Sequence, residues 1–557
     1  MRSSRAAAMC AGLLSLVLLA GCTSGSDETP PTETPPLIST GDLPDAQPGE
    51  VHLFGFNDFH GNLEPPKASN GQIAGHAAGG AAYLATHLAR LRAAYPDSAV
   101  LLSGDNIGAS PLVSSLFHDE PTVNFLNSVR PSASAVGNHE FDDGVLELAR
   151  MQRGGCALDG CSPGAPFTGA AFPYLAANVA DANGQLPPGL RAWTMLELGG
   201  HKIGVVGTVT PETAQIVFPE GIHGYTFGDP AEAINRQVPD MRAAGAEVVV
   251  GLVHDGGKQA DPKADYNGCA NISANVPELA RRTDPAVRVL MTAHSHQPYV
   301  CEIDGKVVTQ AASYGRLVTD VTLRFDGGDV AVRAVNRVVT REVTPDPATV
   351  ALIDFYAREA APRAGRVVGT ATESLPKQST SSPESPLGNV IADAMLATTA
   401  GPAQAVAAFM NPGGVRADIG AGPITFGGIY EAQPFGNQVV TLALTGRQIL
   451  DLLEQQWSKP DRPLVLSVAG LSYTYDDAAP TGHKVVDGTV RIGDQPLNEV
   501  AKYRISTNNF LASGGDGFTG FTKGTELTVG LMDLDAFEAY LTGTGPISLP
   551  PNRIQRR

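Results

Sequence analysis

Gly137-Asn138-His139-Glu140-Phe141-Asp142 stands between two stretches of opposite periodicity. Before it, Ser132 to Val136 is a short run of small and apolar residues that reads as a buried strand; after it, behind Gly144, Val145 to Ala149 reads as a helix. A strand that ends in Asn138 and His139, with Asp142 three residues past the histidine, delivers a neutral donor, an acid/base group and an orienting carboxylate to one loop. Open α/β sheets place their chemistry on loops at the carboxyl ends of strands. The motif therefore calls for a chain of strand-loop-helix units whose other strands bring partners to the same edge.

Those units are present on both sides of it. Val51 to Phe56 reads as a strand running into Asn57-Asp58-Phe59-His60, and residues 79–94 read as a helix with Tyr83, Leu84, Leu88 and Leu91 near a 3.6 period. Ala99 to Ser103 leads into Gly104-Asp105-Asn106, 202–206 is a further strand, 247–253 ends in His254-Asp255, and 287–291 ends in Thr292-Ala293-His294-Ser295-His296. Taken singly, a strand-end Asp is a turn former or helix cap, and a lone His is a surface or satisfied core residue. Five strand ends that all carry acid/base or metal-capable groups point instead to one site. Asp58 and His60, alternate residues of an extended segment, are expected to point to the same side. With Asp105, Asn138, His254, His294 and His296 they form a set of oxygen and nitrogen donors without a thiolate. Such a set suits a pair of divalent ions (Zn, Mn, Co or Fe) better than a structural zinc. One carboxylate bridging two ions about 3.5–4 Å apart is the layout of hydrolytic two-metal centres.

A chain of 557 residues, 43% hydrophobic, is long enough for two or three globular domains. Its formal net charge of −18 argues against binding a nucleic-acid polymer, though not against a small anionic substrate drawn in by a local metal centre. Arg2 and Arg5 precede an apolar run, Ala6 to Ala20, that is too short to span a bilayer. It ends Leu19-Ala20-Gly21-Cys22, so residues 1–22 resemble the bacterial lipoprotein signal, in which the cysteine, here Cys22, is lipidated after cleavage. A plain signal peptide is the alternative. On either reading the protein is exported, and on the first it is lipid-anchored to the outer face of the cell membrane. Residues 23–48, rich in Pro, Thr, Ser, Asp and Glu, read as a disordered tether. Of the remaining cysteines, Cys156–Cys161 and Cys269–Cys301 are the favoured pairs, as structural disulfides of an exported protein, with a zinc site as the alternative.

Asp58-x-His60, Gly104-Asp105, Gly137-Asn138-His139-Glu140, His254 and His294-x-His296 resemble, in order, the motifs of the calcineurin-like metallophosphoesterases. The form Gly-Asn-His-Glu-Phe-Asp with a long second half is similar to the exported bacterial 5′-nucleotidases, a family that includes UDP-sugar hydrolases and 2′,3′-cyclic nucleotide phosphodiesterases. The resemblance covers about residues 50–545. It implies an α/β fold: a four-layer α/β/β/α metallophosphoesterase sandwich at 49–340, a linker helix at 341–365, and a smaller α/β 5′-nucleotidase C-terminal, substrate-binding domain at 366–545. It also implies that Asp58, His60 and His296 hold one metal, Asn138, His254 and His294 a second, and that Asp105 bridges them. His139, held by Asp142, is the implied acid/base group, and a hydroxide on the metals is expected to attack phosphorus in line. In one respect the motif departs from many relatives: Ala293 stands where Gly is common, at little cost unless that residue needs a positive φ.

The second half offers three Gly-rich turns, Asn411 to Arg416, Pro434 to Asn437 and Asn508 to Gly517, which by themselves read as ordinary turns. The resemblance implies more: Phe435 and Phe510 sandwich a base, Asn411 and Arg416 lie near the phosphate or ribose, Asn437 joins them, and Asp516 takes the ribose. Base stacking tolerates any base, so a nucleotide substrate of broad base preference is expected. Relatives often carry arginines before the Leu-Gly-Asn element; Ser379 to Asn389 has none. Losing a bidentate guanidinium weakens the grip on a terminal phosphate dianion. A cyclic phosphodiester, a diphosphate linkage or a non-nucleotide ester therefore becomes more credible beside the 5′-monophosphate, and a binding protein on a dead scaffold is the reading from another class. His52, His76, His87, His118, His201, His223 and His483 match no motif and read as structural or surface residues.

Overall fold

The computed structural model describes residues 37–557 apart from 42, 68–70, 218, 262–263, 380–381 and 460–461. The expected signal segment, Cys22 and the tether as far as residue 36 lie outside the described residues. Among the described residues no helix is long and apolar enough to cross a membrane.

Two six-stranded sheets make the first half. One runs in the order Asp329–Val338, Leu317–Asp326, Glu50–Phe56, Ser98–Leu102, Ala133–Ala135, Tyr174–Leu175, and the other Pro298–Ile303, Lys306–Ala311, Val287–Thr292, Val248–His254, His201–Val209, Trp193–Leu198. Glu50–Phe56, Ser98–Leu102 and Ala133–Ala135 are mutually parallel, as are His201–Val209, Val248–His254 and Val287–Thr292. Glu50–Phe56 and Val248–His254 are buried at every position, as strands covered on both faces must be, and both are mainly apolar, interrupted by Glu50 and His52 in the first and ending in His254 in the second. Leu53, Leu101 and Ala135 meet Val205, Val250, Leu252 and Met291 between the sheets. The alternate residues Phe54, Phe56, Val100 and Leu102 face helices Ala81–Ala94 and Glu120–Val129. On the far side Val206, Val249, Val253 and Leu290 face helices Pro230–Ala243 and Asn275–Arg282. The result is the expected α/β/β/α sandwich.

Helix Pro347–Ala364 begins where Asp346 accepts from the Thr349 amide ahead of a proline at the first turn, and Tyr356 and Ala360 bury against the first sheet's outer core. Behind it a five-stranded sheet runs Ser467–Ala469, Ala407–Met410, Lys502–Asn508, Gln438–Thr445, Thr525–Met532. Helices Pro386–Ala400 and Asp533–Thr544 pack into one apolar core with this sheet, and helix Gly446–Glu454 into another. The chain continues past residue 545 into strand Ile554–Arg556, which pairs with Leu471–Tyr475.

Both favoured disulfides, Cys156–Cys161 and Cys269–Cys301, are present, which removes the zinc alternative. The end of the expected tether is not free of the body. The Ile38 amide donates to the Tyr266 hydroxyl at 2.9 Å, and the Ile38 carbonyl accepts from the Val338 amide at 2.6 Å. Thr40 Oγ1 lies 2.6 Å from His87 Nδ1, and the Tyr95 hydroxyl donates to the Pro44 carbonyl at 2.8 Å. A segment too polar to build its own core is held by backbone and hydroxyl bonds to the body, which composition does not reveal.

Candidate active site

The loops after the parallel strands of the two sheets converge on one edge, and they do so through unusual backbone. Asp58, His60, Asp105, His294 and His296 all have positive φ (49°, 47°, 51°, 71° and 58°). Left-handed conformations cost an L-residue energy and survive where packing enforces them, typically at functional sites. The expectation that Asp58 and His60 point the same way as alternate residues of an extended strand is corrected here: the strand ends at Phe56, and a left-handed bend turns both side chains inward. Ala293 is outside the positive-φ set, so its methyl costs nothing.

Two glycines allow the loops to touch. A Cβ on Gly137 would stand 2.1 Å from Asp105 Oδ1, and one on Gly104 would stand 2.5 Å from the Gly137 amide nitrogen. Buried Glu140 ties the loops together by accepting from the amides of Asp105 at 2.8 Å, Asn106 at 2.8 Å and Gly137 at 2.5 Å. This brace belongs to the motif, but its role was not read from sequence.

Seven candidate ligands meet inside this frame. Asp58, His60 and His296 form one group whose ligand atoms lie within 4.8 Å of one another; Asp105, His254 and His294 form a second. Asp105 Oδ2 is 3.1 Å from His254 Nε2 and 3.6 Å from His60 Nε2, so a single oxygen faces both groups. Asn138 Oδ1 lies 3.2 Å from His254 Nε2. Outer partners orient the rings: His60 Nδ1 faces the Gly108 carbonyl at 2.9 Å and His254 Nδ1 faces the Ser103 carbonyl at 2.8 Å. Donation from Nδ1 aims each Nε2 inward, where it becomes a ligand lone pair once that nitrogen carries no proton. His60 Nε2 and His296 Nε2 stand 3.2 Å apart, a hydrogen bond if His296 carries its proton on Nε2 and two lone pairs aimed at a shared cation if it does not. The donor set thus fits divalent metal.

Titration in the metal-free protein follows from burial and this crowding. Burial lowers His60 and His294 to about 3, and His296 well below its ordinary value, so these imidazoles are neutral at physiological pH. Burial also opposes charge on Asp105 and His254, but their mutual attraction wins: Asp105 is held well below the carboxylate range and His254 is raised to about 10. Burial raises Asp58 to about 7. Metal must displace the protons on His254 and Asp58, so affinity should rise with pH, first through 7 and then toward 10. Calorimetry of Mn²⁺ binding in buffers of different ionisation enthalpy should register roughly one to two protons released per protein at pH 7. A release near zero would show that these groups are not displaced by metal.

His139 lies beside this cluster. Its Nδ1 is 2.7 Å from Asp142 Oδ2 and its amide donates to Asp105 Oδ1 at 2.9 Å. Burial works against its charge, yet the carboxylates of Asp142 and Asp105 raise its pKa overall. The His139 ring stacks on Phe435 (5.7 Å, 19°), and the Arg416 guanidinium lies 5.7 Å over the same phenyl ring. Asn138, His139, Asp142 and His294 from the first half and Asn411, Arg416, Phe435, Asn437, Phe510 and Asp516 from the second line one cavity of about 500 Å³. Asn411 donates to Asp516 Oδ2 at 2.8 Å, and Asn508 in turn donates to Asn411 Oδ1 at 3.1 Å. The Phe510 ring lies against Gly515, where a Cβ would meet it at 2.5 Å.

Sequence reading missed several groups in this cavity. His118, read as structural or surface, lines it and pairs with Asp159 of the disulfide-closed loop at 2.9 Å. Lys459 and Arg462 line it from a loop that carries no motif, and Lys459 Nζ reaches Glu212 of the first half at 2.6 Å. The segment without arginines is put to another use: Glu384 accepts from the Asn389 side chain at 2.8 Å and the Arg553 amide at 2.7 Å, fastening the C-terminal strand.

Residues 367–523 match the 5′-nucleotidase, C-terminal domain family. The chain is 32% identical over 472 residues to endonuclease YhcR of Bacillus subtilis (83% of this chain, 37% of the relative). It is 31% identical over 573 residues to cell wall protein Lmo0130 of Listeria monocytogenes (94% of this chain, 70% of the relative). It thus spans little more than a third of the first relative's length. Among solved structures, a 5′-nucleotidase precursor from Thermus thermophilus superposes with a TM-score of 0.76 at 28% identity, covering 91% of this chain and 99% of that one. The chain belongs to the 5′-nucleotidase family of phosphoric ester hydrolases, with a calcineurin-like metallophosphoesterase half followed by the 5′-nucleotidase C-terminal domain.

Proposed function

We propose that this protein is an exported, lipid-anchored phosphoesterase that hydrolyses nucleotides at a two-metal centre, with Asp58, His60 and His296 holding one ion, Asn138, His254 and His294 the other, and Asp105 shared between them. The observation that carries the reading is the common cavity: Asn138 and His294 of the candidate ligands, His139, and the aromatic and polar residues of the second half open onto the same 500 Å³. When bound, divalent ions there supply Lewis acidity, activating water and neutralising phosphoryl charge.

The chain's own residues do the rest. His139, whose pKa the Asp142 and Asp105 carboxylates raise against burial, is the group to protonate the leaving oxygen, and Arg416 faces the developing negative charge. Phe435 and Phe510 offer ring faces to a base, while the Asn411–Asp516 pair offers an acceptor and a donor to ribose hydroxyls. A second reading, a diphosphate-linked or cyclic nucleotide as substrate, is favoured by the use of Glu384 and its neighbours for fastening the C-terminus rather than for clamping a terminal phosphate.

Phosphate release by protein loaded with Mn²⁺ or Zn²⁺ tests both readings on AMP, 2′,3′-cyclic AMP and UDP-glucose, with p-nitrophenyl phosphate as reference. Nucleotides are expected to exceed the aryl ester by about 10²-fold or more in kcat/KM, the share that remote binding contributes. Equal rates would discard the nucleoside clamp and keep the metal centre. No turnover with metal bound would favour a binding protein.

A further inference from the structure

Asp119 stands immediately before helix Glu120–Val129, where an Asp ordinarily turns its carboxylate back onto the amides of the first turn. It forgoes that bond: among the described residues its side chain takes no amide of its own helix. Its backbone is also left-handed, at φ 58°, a conformation that costs an L-residue energy. Both losses are explained by where the side chain goes. Asp119 Oδ2 accepts from the Gly108 amide at 3.0 Å, eleven residues back, and Oδ1 accepts from the Ser114 hydroxyl at 2.6 Å. Ser114 Oγ in turn lies 2.7 Å from Thr122 Oγ1 on the helix, so the carboxylate is itself held. The whole residue is buried.

Gly108 is where a candidate ligand and the acid/base pair meet. Its carbonyl faces His60 Nδ1 at 2.9 Å. On its other side a Cβ would stand 2.5 Å from the His139 carbonyl oxygen and 2.9 Å from Asp142 Oδ2. With φ 79° and no side chain, Gly108 has nothing of its own to anchor it. We propose that Asp119 is a positioning residue for the metal centre: by fixing the backbone at Gly108 it holds the carbonyl that keeps the His60 proton on Nδ1 and leaves Nε2 facing Asp105 as a lone pair. The inference rests on the two-metal reading and adds to it a residue outside the ligand set and outside the motifs. Partners of this kind are typically worth about 10- to 100-fold in metal affinity.

Calorimetry of Mn²⁺ binding to metal-stripped protein tests this, with D119G, D119N and S114A beside the wild type. Gly is at home at φ 58°, so D119G deletes the carboxylate without adding backbone strain. It should weaken one of two Mn²⁺ ions by about 10- to 100-fold and the other by less than about threefold. D119N keeps an oxygen for the Gly108 amide and can donate to Ser114, so it should stay within about threefold of the wild type. The ¹⁵N shifts of the His60 ring in the metal-free protein give a readout that lost stability alone does not move. They should report a proton on Nδ1 in the wild type and D119N, and mixed tautomers in D119G. Should D119G fail to fold, S114A, which leaves the carboxylate held at one oxygen only, carries the same test with a loss of about three- to tenfold at the same ion. Wild-type affinity for both ions in the folded variant, or equal losses at both, would overturn the positioning role and leave the two-metal reading standing. A wild type that binds no Mn²⁺ would remove the two-metal reading, and the His60 tautomer in D119G would then decide the positioning role by itself.

Discussion

Asp105→Asn is expected to lower kcat/KM for every phosphate ester by more than about 10³-fold and to reduce bound metal from about two ions per chain to fewer than one. The carboxylate is buried, and its Oδ2 faces His254 Nε2 at 3.1 Å and His60 Nε2 at 3.6 Å, so one oxygen serves both halves of the proposed centre. Asparagine keeps the shape and can still accept the His139 amide bond that Asp105 Oδ1 accepts at 2.9 Å, so the loop should hold. What it removes is the negative charge. In the metal-free protein that charge raises His254 against a burial penalty, so the substitution should lower the His254 pKa from about 10. Imidazole chemical shifts followed against pH would read this directly. Metal content by atomic absorption would read the loss of ions, and retention of both ions in a folded Asp105→Asn protein would refute the bridging role.

The legible and illegible parts of this centre divide along physical lines. Each parallel strand is a short apolar run closed by a Gly, Asp, Asn or His, and burial on both faces turns that pattern into an unambiguous strand followed by a loop. The converging strand ends could therefore be read from residues alone. The left-handed backbone at Asp58, His60, Asp105, His294 and His296 could not, because Asp and His adopt it more readily than most residues but still rarely, and the packed loops enforce it. Glu140 was visible as part of a motif, but its three amide partners lie on two loops that meet only in the fold. Lys459 and Glu212 are 247 residues apart, and their pairing across the cavity is a product of docking one half on the other. Residues 37–48 misled in the opposite sense: their composition speaks of solvent, while Thr40 is 5% exposed.

His139→Ala should leave the metal content unchanged and lower kcat by about 10²- to 10⁴-fold, the range of a lost general acid or base. The prediction is sharp because geometry permits a competing role. His139, His60 and Asp105 also form a group whose potential ligand atoms lie within 4.8 Å, so a variant that loses metal would make the imidazole a ligand instead. Asp142→Asn separates the roles further. Burial alone would lower the His139 pKa, and it is the Asp142 carboxylate, 2.7 Å from Nδ1, together with Asp105, that raises it. A protonated His139 that donates to the leaving oxygen is present below its pKa and lost as pH rises through it, so activity should fall on the alkaline side. Removing the Asp142 charge should move that fall to lower pH, with kcat at the acid end changed much less than in His139→Ala. An alkaline limb that stays in place in Asp142→Asn would mean that another group loses its proton there, and that His139 serves the phosphoryl group by charge or position alone.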